Sequence, residues 1–167
     1  GLLYHQLEWK GVKDGLKAFS LAKEKFPGIK LVMFGVDKPK PGELPTDVEF
    51  HHDPSQEKLR ELYCSLDIFL SPSWAEGCQL PPMEAMACHC AVVATNVGGM
   101  PDYSISGQTA LASPPREPEA LARNLIRLLE NEQELRRISE AGYRKIREFT
   151  WESATKKLEK ILVEESR

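Results

Sequence analysis

The chain has 167 residues, with 22 Lys plus Arg against 25 Asp plus Glu, a formal net charge of -3 and no dense basic block. This balance excludes a general attraction to nucleic acid or to an anionic lipid surface, so any anionic ligand must be held locally. The length suits one domain over residues 1–167. The four cysteines, at positions 64, 78, 88 and 90, form no secreted-type framework, and no apolar run approaches the ~20 residues of a membrane span, so a reduced cytoplasm is the expected setting.

In chain order, short apolar runs at Leu2 to His5, Lys30 to Phe34, Val48 to His51, Asp67 to Leu70, Ala91 to Thr95 and, more weakly, Thr109 to Ala112 alternate with helical patterns. Continuous rather than alternating apolar runs suit strands covered on both faces. The chain opens directly on the first of them, with no signal-like leader, as a piece cut from something longer would. Val12, Leu16 and Phe19 share one helical face, and so do Leu59, Leu62, Tyr63 and Leu66. Asp53-Pro54-Ser55-Gln56 reads as a capping box opening the second helix. Residues 37–47, rich in proline, read as a surface loop. After about residue 115 only helices remain: Leu121, Leu125, Leu128 and Leu129 on one face, a charged and solvated stretch through Arg147, and a last helix opening at Thr150 with Leu158, Ile161 and Leu162 as its buried stripe. Strand and helix in alternation predict an α/β fold: a Rossmann-like, doubly wound parallel sheet of about six strands with helices on both faces and a helical C-terminal region. Ligands gather beyond the carboxyl ends of such strands.

The polar residues crowd into Ala75 to Asp102. A helix starting at Pro81 or Pro82 would place Glu84 in its first turn and leave Glu76 on the loop before it. The amides of Gly77 to Leu80, just ahead of that helix start, would make an anion site, and Glu84 would be suited to accept hydrogen bonds from paired hydroxyls such as a ribose diol. The same spacing is equally met if Glu84 only complements the helix dipole and Glu76 lies in water. Neither a Walker phosphate loop nor a GxGxxG follows the early strands. Cys88-His89-Cys90 is rejected as a metal site, because consecutive residues diverge around a helix end and no second ligand pair lies at the right spacing. Cys78 is a thiol near a helix start with no base beside it in sequence. Gly98-Gly99 permits a tight turn or a close approach to a ligand, and Lys10 stands where the first strand gives way to the first helix.

Taken together, Lys10-Gly11, the strand Lys30 to Gly35, Ser71-Pro72-Ser73, Glu76-Gly77, Glu84-Ala85-Met86-Ala87, Val92 to Thr95, Gly98-Gly99 and Phe149-Thr150-Trp151-Glu152 form an ordered series. It resembles the carboxyl-terminal, donor-binding half of a retaining GT-B fold glycosyltransferase of family 4, across nearly the whole chain. The resemblance implies catalytic roles for Glu76, beside hydroxyls of the donor sugar, and for Lys10, on the diphosphate. It places Glu84 on the ribose, and gives Gly77, Cys78, Gln79 and Leu80 as backbone donors. The loop after Gly35 and the stretch past Val48 would flank the base. The implied substrate is a nucleotide-diphosphate sugar, with no cofactor and no metal, since a lysine and a helix N-terminus meet the charge on the departing diphosphate.

Two positions depart from the family pattern. His5 stands where an arginine is usual, leaving the diphosphate one permanent cation short. Gln79 stands where a glycine is common, so its side chain would narrow the backbone approach. The implied partner is an amino-terminal acceptor-binding domain absent from these residues; without it this piece would bind donor weakly and turn over nothing. A sugar-nucleotide epimerase or a phosphorylase of the same fold, and a non-catalytic nucleotide-binding module, are the alternatives.

Overall fold

The computed structural model of the protein describes residues 1–165. Among them, β1 (Leu2–Leu3), β2 (Val32–Gly35), β3 (Glu49–His52), β4 (Ile68–Ser71), β5 (Ala91–Thr95) and β6 (Leu111–Ser113) form one sheet in the order β3-β2-β1-β4-β5-β6, every neighbouring pair parallel. The described residues also form seven α-helices: α1 (Val12–Lys25), α2 (Gln56–Cys64), α3 (Leu80–Ala87), α4 (Met100–Tyr103), α5 (Pro118–Glu130), α6 (Glu132–Ile146) and α7 (Trp151–Glu165). This is the predicted doubly wound architecture.

The pleat divides each continuous apolar run between two cores. Leu2, Met33, Ile68, Leu70, Ala91, Val93 and Leu111 face α1 and α5, where Phe19, Ala22, Leu121, Leu125 and Leu128 meet them. Phe34, Phe69, Val92 and Ala94 face the other way, onto Leu62 and Tyr63 of α2, Ala85 and Met86 of α3, and Tyr103 of α4. Each large side chain buried in this way contributes about 1.5–3 kcal/mol. In the second core Phe34, Tyr63 and Phe69 form an aromatic cluster, with Phe34 and Tyr63 edge to face at 5.1 Å between centroids. That cluster fixes α2 against the sheet and so fixes where the Tyr63 hydroxyl emerges.

Three local expectations are corrected. The first strand stops at Leu3: Tyr4 still donates to the Phe34 carbonyl at 2.8 Å, but His5 has left the ladder. The cap of α2 is Ser55, whose side chain accepts from the Lys58 amide, while Asp53 sits at φ 44 before it. The stripe on α7 is not buried: Leu158, Ile161 and Leu162 are 57%, 54% and 60% exposed, and none of the described α7 side chains joins either core, because α5 and α6 have already closed the sheet.

Several buried protons make the fold sensitive to alkali. Burial pushes the Cys90 thiol up from 9.0 to about 12, and burial also raises the phenols of Tyr63 and Tyr103 above the ordinary 10.0. Each group holds its proton more tightly folded than unfolded, so its contribution is complete below the ordinary value and is lost as pH climbs towards the folded value. The unfolding free energy from urea titration is expected to fall above about pH 8.5, by up to about 1.4 kcal/mol per pH unit for each such group. A value unchanged at about pH 11 would show these protons to be unimportant.

Candidate functional site at the carboxyl edge of the sheet

From β1 the chain turns outward to β2 and β3, then crosses back so that β4 lies on the other side of β1. The carboxyl ends of β1 and β4 therefore diverge, and the loops leaving them wall a crevice. After β1 a single 3-10 turn, Glu8–Lys10, presents Lys10, and Gly11 ends it in the left-handed region at φ 65. A Cβ on Gly11 would lie 2.1 Å from the Pro72 carbonyl oxygen, so glycine lets the Lys10 turn sit directly on the loop leaving β4.

That second loop is tightly held. The Trp74 amide donates to the Trp9 carbonyl (2.6 Å), its indole N–H donates to Asp14 (2.6 Å), and the Arg116 guanidinium lies 4.4 Å over its ring. The Thr95 hydroxyl, at the end of β5, reaches the carbonyls of Ser71 and Ser73. Beneath Glu76 run the two glycines. A Cβ on Gly98 would lie 2.1 Å from the Glu76 carbonyl oxygen, and the Gly99 amide donates to the Gly77 carbonyl at 2.7 Å. Their close approach is thus to the backbone carrying Glu76.

The outcome is an ion pair across the crevice: Lys10 Nζ donates to Glu76 Oε1 at 2.7 Å, with side chains 23% and 15% exposed. The free space there, lined by Leu3, Ser71, Ser73 and Gln79 besides the pair, is only about 20 Å³. Glu84 lies in the second turn of α3 rather than the first, because that helix opens at Leu80 with both prolines already inside it. It lines a separate cleft of about 300 Å³ between α2 and α3 with Arg60, Tyr63 and Cys88. Tyr63 donates to Glu84 Oε2 at 2.8 Å; burial, and then the neighbouring carboxylate, hold the phenol well above its ordinary pKa, so it stays a donor. One accepted bond leaves a carboxylate capacity for several more. A larger cavity of about 420 Å³ opens among Phe19, Ile29, Leu125 and Leu129 at the amino ends of the strands; its lining is mostly apolar and includes none of Lys10, Glu76 and Glu84.

Other expected site residues divide. A Cβ on Gly77 would meet nothing within 4 Å, Leu80 is 59% exposed, and Cys78 is exposed with its sulfur 3.7 Å from that of Met83. Gln79 does not narrow the approach. Its side chain turns inward, almost fully buried, where its carbonyl oxygen accepts from Ser71 (3.4 Å) and Tyr103 (3.2 Å) and its amide donates to the Val97 carbonyl (3.5 Å). Gly35 serves packing, since a Cβ there would lie 2.3 Å from the Tyr4 carbonyl oxygen. His5 Nδ1 accepts from the Leu7 amide (3.1 Å) and lies 3.0 Å from the Asp37 carboxylate; the 37–47 loop is tied down by Gln6, whose amide donates to Asp37 (3.0 Å) and whose side chain donates to the Lys38 carbonyl (3.1 Å), and His5 makes no bond to Lys10. Among the described residues no group of three or more His, Cys, Asp and Glu could hold a metal ion. Sequence reasoning treated Tyr63 as a core residue; the rule that a buried phenol seeks a partner could have found its link to Glu84.

The buried Gln79 makes a prediction. Gln79→Gly removes an acceptor from two buried hydroxyls and loosens the helix start, costing about 3 kcal/mol. The melting temperature should fall by roughly 6–12 °C. An unchanged melting curve would mean that the amide does not anchor this loop.

A family model for glycosyl transferases group 1 matches residues 2–145. The chain belongs to that family. Among curated relatives, the O-antigen chain mannosyltransferase B of Escherichia coli is 30% identical over 99 residues, covering 59% of this chain and 26% of the relative. The MMP alpha-(1->4)-mannosyltransferase of Mycolicibacterium hassiacum is 37% identical over 101 residues, covering 59% and 25%. The matched regions thus span about a quarter of the length of these relatives. Among solved structures, the C-terminal domain of a group 1 family protein from Francisella tularensis superposes with a TM-score of 0.76 at 23% identity, over 87% of this chain and 81% of that one. HepE of Anabaena, solved in complex with UDP, gives 0.83 at 18% identity, over 98% and 48%. Both share the fold of this chain.

Proposed function

We propose that this chain is the donor-binding part of a retaining glycosyltransferase, moving a sugar from a nucleotide-diphosphate sugar to an acceptor. The observation that carries the reading is the Lys10–Glu76 pair at 2.7 Å, held across the crevice between the ends of β1 and β4. In this reading Lys10 meets the diphosphate, Glu76 accepts from hydroxyls of the donor sugar, Glu84 takes the ribose diol, and the open backbone at Gly77 faces the phosphates. The UDP bound by Anabaena HepE supports a nucleoside diphosphate as the ligand class. In this reading binding exchanges Glu76 for phosphate on Lys10. As the glycosidic bond breaks, negative charge grows on the diphosphate, and a fixed donor aimed at such charge is worth about 2.7–4 kcal/mol. The acceptor would be supplied by a further domain of a longer cytoplasmic protein, closing over this one to exclude water.

Calorimetric titration of UDP and GDP into the chain and into Lys10→Ala tests the site. Saturable binding, weakened about tenfold or more in the variant, is expected from the loss of a charge-assisted hydrogen bond. Matching isotherms would overturn the assignment of Lys10. Anomeric NMR of the product made by the whole protein tests retention.

A further inference from the structure

The donor reading makes no use of the cysteines where α2 and α3 meet. Cys64 is the last residue of α2, and Cys88 caps the C-terminal end of α3. Each lies four residues beyond a cleft residue, Arg60 and Glu84 respectively, and so on the same helical face as that residue. The helices are held together there by the Tyr63–Glu84 hydrogen bond at 2.8 Å, and Cys90 donates to the Tyr63 carbonyl at 3.0 Å. Cys64, next to Tyr63 in α2, is exposed, and Cys88 is half-buried, lining the cleft against Leu59, Arg60 and Tyr63 of α2.

We propose that Cys64 and Cys88 are a reversible redox pair, closing to a disulfide at the edge of the Glu84 cleft. The oxidant is a low-molecular-weight disulfide. The Cys64 thiolate, the accessible one, attacks one of its sulfurs, forming a mixed disulfide and expelling a thiolate. The Cys88 thiolate then attacks the Cys64 sulfur and expels the second. Two electrons pass from the protein sulfurs to the oxidant, and the two protons lost by the cysteines end on the two small thiols. Burial, and then Cys64, push the Cys88 thiol up to about 11, so the second step is the slow one and quickens as pH rises. A bond between the helix ends shifts α2 against α3 next to Tyr63 and Glu84. The effect on ligand rests on the donor-site reading; formation of the bond does not.

The chain, Cys64→Ser and Cys88→Ser are incubated in glutathione buffers from reducing to oxidising, and each product is measured by intact mass, peptide mapping and UDP titration. The parent chain should lose the mass of two hydrogens, map as Cys64 joined to Cys88, and recover on reduction. Cys88→Ser should stop at a glutathione adduct on Cys64. UDP affinity should be roughly tenfold weaker in the oxidised chain and insensitive to oxidation in Cys64→Ser. A parent chain that stops at the same adduct, or a bridge mapping to Cys78 or Cys90, overturns the pair. A bridge that leaves UDP affinity unchanged overturns its link to the cleft. A reduced chain that binds no UDP counts instead against the donor site, while the bridge still stands or falls on mass and mapping.

Discussion

Glu84→Gln is expected to weaken UDP binding by about 10- to 100-fold while leaving the fold intact. The substitution separates two duties of the carboxylate. Tyr63 needs an acceptor, since its phenol is buried and donates to Glu84 at 2.8 Å; the glutamine carbonyl supplies one at the same length. The ribose diol needs a charged acceptor with capacity to spare, and the amide has lost the charge and half of that capacity. Hydrogen bonds to a charged group are worth about 1.5–3 kcal/mol, which sets the expected loss. Glu84→Ala would be the poorer experiment, because stranding the Tyr63 hydroxyl costs stability and mixes the two effects. Tyr63→Phe completes the comparison: the carboxylate keeps its charge and loses only an orienting partner, so its effect on affinity should be smaller than that of Glu84→Gln. If Glu84→Gln binds UDP as the parent chain does, Glu84 is a structural acceptor for Tyr63 and nothing more.

The fold and the candidate site were unequally legible in the sequence. Parallel strands buried on both faces announce themselves as unbroken apolar runs, and Ala91–Thr95 was readable to the residue. Glu76 and Glu84 stood out within the polar segment Ala75 to Asp102, and Lys10 where the first strand gives way to the first helix. Pairings between distant segments were not legible. Nothing local in His5 shows that Asp37, on another loop, will engage it, and nothing local in Gln79 shows that Ser71 and Tyr103 will draw it inward. The stripe on α7 misled for a related reason: its apolar spacing is a true feature of the helix, but burial depends on what packs against it, which periodicity does not encode.

Gly98→Ala tests how the Glu76 loop is seated, and the expected result is a loss of about 3 kcal/mol, or roughly 6–12 °C in melting temperature. Two costs combine. Gly98 has φ +55, a conformation that costs an ordinary L-residue about 1–2 kcal/mol. Its Cβ would also lie 2.1 Å from the Glu76 carbonyl oxygen and 2.7 Å from that of Gly77. Both neighbours are backbone, so no side chain can swing aside, and overpacking of that kind costs about 1–3 kcal/mol. Relief comes only by lifting the loop, which draws Glu76 away from Lys10 and breaks the Gly99 amide's bond to Gly77. UDP affinity should therefore fall together with stability. Gly77→Ala is the matched control, one loop residue away from the pair: its Cβ would meet nothing within 4 Å, so stability should change by no more than about 0.5–1 kcal/mol. Equal melting temperatures for the two variants would mean that the double glycine is not the support of Glu76, and that the ion pair with Lys10 is held by its own charges alone.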